Sequence, residues 1–175
     1  MTHGDSGKSE GMNSLHLRIA TKDDVPAMTE LLNHYIANST TTFVLEPQTV
    51  EERLTWFDQR SELHPAIVAE VDGGFVGWGA LSVHNPRAGY RHTADVSVYV
   101  RPDLHRRGVG RAIVGELITR GRAVGHHTLI AQCCTESVES IALHEALGFK
   151  RTGELHEVGR KFDHWLDVIF LQLLL

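Results

Sequence analysis

The residues best placed to do chemistry stand together in Val98-Tyr99-Val100-Arg101-Pro102-Asp103-Leu104-His105-Arg106-Arg107-Gly108-Val109-Gly110-Arg111. A strand passes into a short basic turn with two glycines, and the turn passes into a helix. Glycine accepts backbone angles that let neighbouring N–H groups converge. The start of a helix adds free N–H donors and the positive end of its dipole. Main-chain atoms so arranged hold a pyrophosphate, and Arg106, Arg107 and Arg111 place positive charge beside it. The plainer alternative is a solvated basic loop closed by a capping glycine. Rival phosphate motifs do not fit, since neither G-x-x-x-x-G-K-[ST] nor G-x-G-x-x-G occurs. The adjacent Cys133 and Cys134 face opposite ways on a strand, and buried inert thiols are the simpler reading than reactive ones. Twelve histidines lack any H-E-x-x-H or C-x-x-C spacing, so no metal site is expected.

The elements that position these residues are written in the periodicity. Leu15–Ala20 alternates as a half-buried strand, and Thr21 caps a helix running to about Ala37. Ser39–Phe43 breaks that pattern and opens a loop. Thr49 and Glu52 form a capping box that starts a second helix. Ala66–Val71 and Phe75–Val83 make a hairpin through Asp72-Gly73-Gly74. Strand Thr93–Val100, helix Gly110–Val124, strand Thr128–Cys134, helix Ser137–Leu147 and strands at about Arg151–Val158 and Trp165–Leu173 follow. The order β-α-α-β-β-β-α-β-α-β-β predicts an α/β (α+β) fold: a mixed, mostly antiparallel central sheet with helices on both faces. Residues 1–14 read as a disordered tail, in which Met12 is an alternative start, and 15–175 as one domain.

A chain of 175 residues is long enough to bury a core without disulfide or metal support. A net charge of −5 argues against a nucleic-acid or anionic-membrane surface. No apolar run approaches the ~20 residues of a membrane span. No signal-peptide pattern is seen near Met1, and the reduced cysteine pair fits a cytoplasmic setting.

On the turn and the helix after it, the chain resembles the GNAT acetyltransferases. His105-Arg106-Arg107-Gly108-Val109-Gly110 matches that family's acetyl-CoA motif [Q/R]-x-x-G-x-[G/A], with His105 in place of Gln or Arg. The resemblance implies a pyrophosphate at Arg106–Arg111 and a pantetheine arm along Val98, Tyr99 and Val100. Ser140–Phe149 is similar to the family's second cofactor helix, with Ser137 where Asn is common and Ser140 beside it. Within the superfamily, the chain looks like the phosphinothricin and methionine sulfoximine acetyltransferase group over about residues 16–173. Asn33–Ile36, Ser39–Phe43, Glu46-Pro47, Arg87, Tyr90, Thr93, Ser97–Val100, Gly159, Lys161-Phe162 and Trp165–Asp167 carry the match.

That resemblance implies a small amino-acid-like amine as substrate and acetyl-CoA as co-substrate. Arg87 offers a fork for a carboxylate or phosphinate, and Phe43 and Tyr90 line the slot around the aliphatic part. Asn85 stands where the group often has a second basic residue. Asp95 takes the place of the general-base glutamate, one methylene shorter, which favours proton removal through one ordered water. His144 sits where many members have the tyrosine that protonates the coenzyme A thiolate. Direct attack on the thioester is expected, since no nucleophile motif exists. A homodimer is implied as well, with the apolar run Val168–Leu175 as a contributor. Two other functions stay open: acetylation of protein N-termini or lysines, and non-catalytic acyl-CoA sensing.

Overall fold

Period-two alternation and short turns fold the chain into one seven-stranded sheet in a computed structural model that describes residues 15–175. The expectations for 1–14, including a start at Met12, lie outside the described residues. The elements are β1 (Leu15–Ile19), α1 (Val25–Asn38), α2 (Val50–Asp58), β2 (Ala66–Val71), β3 (Gly74–Val83), β4 (Thr93–Val100), α3 (Val109–Ala123), β5 (Thr128–Cys134), α4 (Val138–Ala146), β6 (Lys150–Lys161) and β7 (His164–Leu174). Their order is the one the pattern predicts. The turn between β2 and β3 carries positive φ at Asp72 (53°) and Gly73 (77°), the left-handed pair a tight hairpin requires. Thr49 caps α2, with Glu52 N–H donating to its hydroxyl at 3.2 Å and Thr49 N–H donating to the Glu52 carboxylate at 2.7 Å. The first helix differs at its start. Pro26 sits in its first turn and has no N–H to give, so Lys22–Asp24 form a separate 3₁₀ turn before α1.

The strand order is β1-β2-β3-β4-β5-β7-β6. Helix α3 packs Ile113 and Leu117 on one face, over Ile67, Leu81, Val96 and Leu129. Helix α1 packs Met28, Leu32 and Ile36 on the other, over Val68, Trp78 and Ala80. Helices therefore cover both faces, as expected. The apolar closing strand is interior to the sheet: β7 pairs with β5 along one side and β6 along the other. Its hydrophobic run is explained by this burial, which corrects the expectation that it is surplus apolar surface offered to a partner. The two edge strands of the sheet are β1 and β6.

One interruption in the sheet matters for function. β4 and β5 are its parallel neighbours, and they pair only at Thr93–Asp95 with Thr128–Ile130. Beyond that point β4 stays with β3 up to Val100, while β5 stays with β7. The two strands splay, and a cleft opens between them.

Candidate active site

The walls of the cleft are Val96–Tyr99 of β4, Ala131–Cys133 of β5, and Ser137, Ser140 and His144 from α4 and its start. Backbone direction in β4 can be read from Arg101, whose N–H donates to Val76 of β3 at 2.9 Å. Since alternate residues of a strand point their amides to opposite sides, the N–H groups of Val98 and Val100 face the cleft. A strand edge left open in this way pairs with an extended amide-bearing arm. The pantetheine expectation thus has a geometric basis at Val98 and Val100, whereas the Tyr99 backbone is turned toward its partner Trp78 on β3. The Tyr99 ring lies on the far face, stacked on Trp78 at 4.9 Å between centroids.

The glycine turn lies where β4 leads into α3. Gly108 precedes the helix at φ 84°, a conformation that disfavours a side chain. Arg106 takes positive φ as well, at 61°. The first bond of the helix runs from Ala112 N–H to the Gly108 carbonyl at 3.0 Å, so the amides of 108–111 precede its ladder. Arg106, Arg107 and Arg111 are exposed around these amides. Val109 is buried in the core and Gly110 faces Leu143 of α4, where an added Cβ would come within 3.2 Å. His105 turns back from the turn: its Nε2 lies 2.7 Å from the Tyr35 hydroxyl, which itself donates to the Val100 carbonyl at 2.6 Å. The residue that replaces Gln or Arg in the motif braces the turn against α1.

Asp95 stands at the last paired position, Asp95 opposite Ile130, and so at the apex of the cleft. His84 Nδ1 is 2.7 Å from its Oδ1, and Gln132 Nε2 donates to its Oδ2 at 3.3 Å. Burial pushes the carboxyl pKa up, and the hydrogen bonds from His84 and Gln132 oppose that rise. The His84 ring lies 5.9 Å from that of Tyr90, which is 44% exposed and therefore not a core tyrosine. Arg87 is exposed in the same loop, fixed by its own N–H to Asn85 Oδ1 at 3.0 Å, with its guanidinium unpaired among the described residues. His84 and Gln132 were not singled out from sequence. The β3–β4 register, Val83 opposite Ala94, sets His84 diagonal to Asp95, so the antiparallel pairing was the signal available.

On the other wall, His144 is 2% exposed. Its Nδ1 donates to the Ser140 carbonyl at 2.7 Å, while Nε2 is buried without a partner at the cleft. Burial lowers its pKa, so the ring is neutral and Nε2 holds a lone pair. Cys133 lies 3.4 Å from the Ser140 hydroxyl, and burial raises its thiol pKa, as befits an unreactive cysteine. Ser137 precedes α4 without a side-chain cap bond.

The loop after α1 is pinned at three points. Asn33 exchanges two hydrogen bonds with the Gln48 backbone at 2.8 Å each. Lys161, 4% exposed, donates to the Thr42 carbonyl at 2.8 Å. Phe43 packs so closely on Gly159 of β6 that an added Cβ would fall 2.2 Å from its ring. Phe43 is thus only half-buried and held from below by a strand that has no side chain there.

A splayed parallel pair, a glycine turn at the mouth of a helix and a carboxylate at the apex thus meet around one cleft. The Acetyltransferase (GNAT) family model matches residues 28–149, and the chain belongs to that family. It is similar to an L-methionine sulfoximine/L-methionine sulfone acetyltransferase of Salmonella typhimurium, 34% identical over 90% of this chain and 92% of the relative. It is also similar to a phosphinothricin N-acetyltransferase of Alcaligenes faecalis, 34% identical over 89% and 80% of the two chains. A GNAT phosphinothricin acetyltransferase from Sinorhizobium meliloti, solved in complex with acetyl-CoA, superposes with a TM-score of 0.89 at 31% identity, covering 92% of this chain and 88% of that one.

Proposed function

We propose that this protein is an acetyl-CoA-dependent N-acetyltransferase for the free amine of a small amino acid of the methionine sulfoximine, methionine sulfone or phosphinothricin type. The observation that carries the reading is the unpaired Arg87 guanidinium on the loop that also brings Tyr90 beside the apex of the cleft. A cation there receives an acidic group, and the amine of the same small molecule then reaches the apex of the cleft. Phe43, exposed on one side and fixed by Gly159, lines the aliphatic part. The cleft suits acetyl-CoA: open amides at Val98 and Val100 for the pantetheine arm, and amides 108–111 with three arginines for the pyrophosphate.

At neutral pH the amine is an ammonium, and a base at the apex must free its lone pair. The nitrogen then attacks the thioester carbonyl, whose oxygen takes the developing charge next to the Val98 amide. A neutral His144 presents an acceptor at Nε2. In the role its position implies, protonating the coenzyme A thiolate, the ring would first have to take up a proton at Nε2.

The same reading includes a cytoplasmic homodimer. Leu155, Val158, Phe162 and Trp165 on the β6–β7 hairpin are each 47–59% exposed, an apolar edge that a second copy would cover. No helix among the described residues is long and apolar enough to cross a membrane.

Acetyl-CoA turnover with free amino acids and peptides tests the function. Methionine sulfone, methionine sulfoximine or phosphinothricin should be acetylated, and Arg87→Ala should raise the amine KM at least tenfold with acetyl-CoA affinity unchanged. Peptides outperforming every free amino acid would replace this reading with protein acetylation.

A further inference from the structure

Both oxygens of the apex carboxylate already hold a side chain. Oδ1 faces His84 Nδ1 at 2.7 Å and Oδ2 accepts from Gln132 at 3.3 Å. An ionised carboxylate only accepts, so Nδ1 carries the hydrogen, and in the neutral tautomer Nε2 of His84 keeps its lone pair. The imidazole leans toward Tyr90, on the side of the amine slot, and its side chain is 26% exposed, open enough to meet a substrate. We propose that His84 is the group that takes the proton from the substrate ammonium, with Asp95 as the carboxylate that orients it.

This rests on the N-acetyltransferase reading and names its base. Aspartate withdraws a carboxylate by about 1.5 Å relative to glutamate. An imidazole between carboxylate and amine spans that shortfall, and an imidazole nitrogen within reach of the ammonium is a common general base. The carboxylate holds the ring in the tautomer with Nε2 free and stabilises the imidazolium that forms. The groups that contact the pair are Tyr90 from the loop after β3 and the uncharged Gln132 from β5, and no lysine or arginine pairs with Asp95 among the described residues.

The protons balance as follows. One ammonium proton passes to His84 Nε2 and from there to solvent. The freed nitrogen pair forms the C–N bond, the C–S bond breaks with its pair on sulfur, and the nitrogen releases a second proton as the amide forms. That proton neutralises the thiolate, so one acetyl amide, one thiol and one solvent proton result.

Steady-state kinetics of His84→Ala and His84→Gln test the assignment, using whichever free amino acid the parent acetylates best. The kcat should fall about 10²–10⁴-fold in both, with acetyl-CoA affinity unchanged by calorimetry. Free imidazole should restore part of the His84→Ala rate. The acidic limb of the parent's kcat/KM profile should vanish in that variant. Asp95→Glu should also lose activity, because the added methylene drives the carboxylate into the imidazole. Parent-like kcat in both His84 variants overturns the proposal. So does a loss that imidazole does not rescue and that leaves the acidic limb in place, which would make His84 only a support for Asp95. A parent inactive toward every free amino acid overturns the function reading first, and this assignment with it.

Discussion

A single hydrogen bond decides what His144 can do. With Nδ1–H committed to the Ser140 carbonyl and the ring buried, Nε2 is left without a hydrogen-bond partner. His144→Phe should therefore keep the fold, through the edge-on contact with Phe149 at 5.1 Å, and lower kcat by less than about tenfold. A loss above about 10²-fold would give the acid role to His144. Gly159→Ala is predicted to do more damage from further away. The new methyl meets the Phe43 ring, so the amine KM should rise several-fold while acetyl-CoA binding is unchanged by calorimetry. Legibility at this scale was uneven. Gly108 could be read from its turn, whereas Arg87 and Asp95 were singled out only through the family resemblance. His84 could be found by neither route: it is one residue beyond the end of β3, and only the pairing with β4 brings it to Asp95.

Elements were more legible than contacts, because periodicity and caps are local. The Thr49–Glu52 box, the Asp72-Gly73 turn and β4 stand where the pattern puts them. The 3₁₀ start before α1 and the splay of β4 from β5 depend on tertiary pairing that no window of sequence contains. Gly108→Val should weaken acetyl-CoA binding about tenfold or more by calorimetry, since φ 84° strains any β-branched residue and the amides would turn away. A second element-scale prediction concerns the joint of β1, the 3₁₀ turn and β2. Arg18 binds Asp24 at 2.7 Å and Glu70 at 2.6 Å, and its hydrogen bond holds the Asp24 carboxyl below its usual range. A depressed carboxyl stabilises the fold above its unfolded pKa, and the benefit disappears as pH falls through the lower folded value. Asp24→Asn should lower Tm by about 2–4 °C at pH 7, with the difference shrinking as pH drops below about 4, as followed by circular dichroism.

At the scale of the molecule, the class of fold followed from the order of elements, whereas the neighbour relations in the sheet did not. That the last strand sits between β5 and β6 leaves the hairpin edge, with Phe162 and Trp165, as the apolar surface. Light scattering should give twice the chain mass at micromolar concentration, and Trp165→Glu should shift it toward the monomer.

The short pairing of β4 with β5 also has a mechanical meaning. The sheet is really two blocks, β1-β2-β3-β4 and β5-β7-β6, sewn together over three residue pairs. Anything that bonds to both walls of the cleft closes the seam and joins the blocks into one stiff body. Hydrogen exchange should display this directly. The amides of Val98 and Val100 should exchange quickly in the free protein and slowly with acetyl-CoA bound, while Arg101, already bonded to Val76, is protected in both. The co-substrate would then complete the sheet as its missing strand.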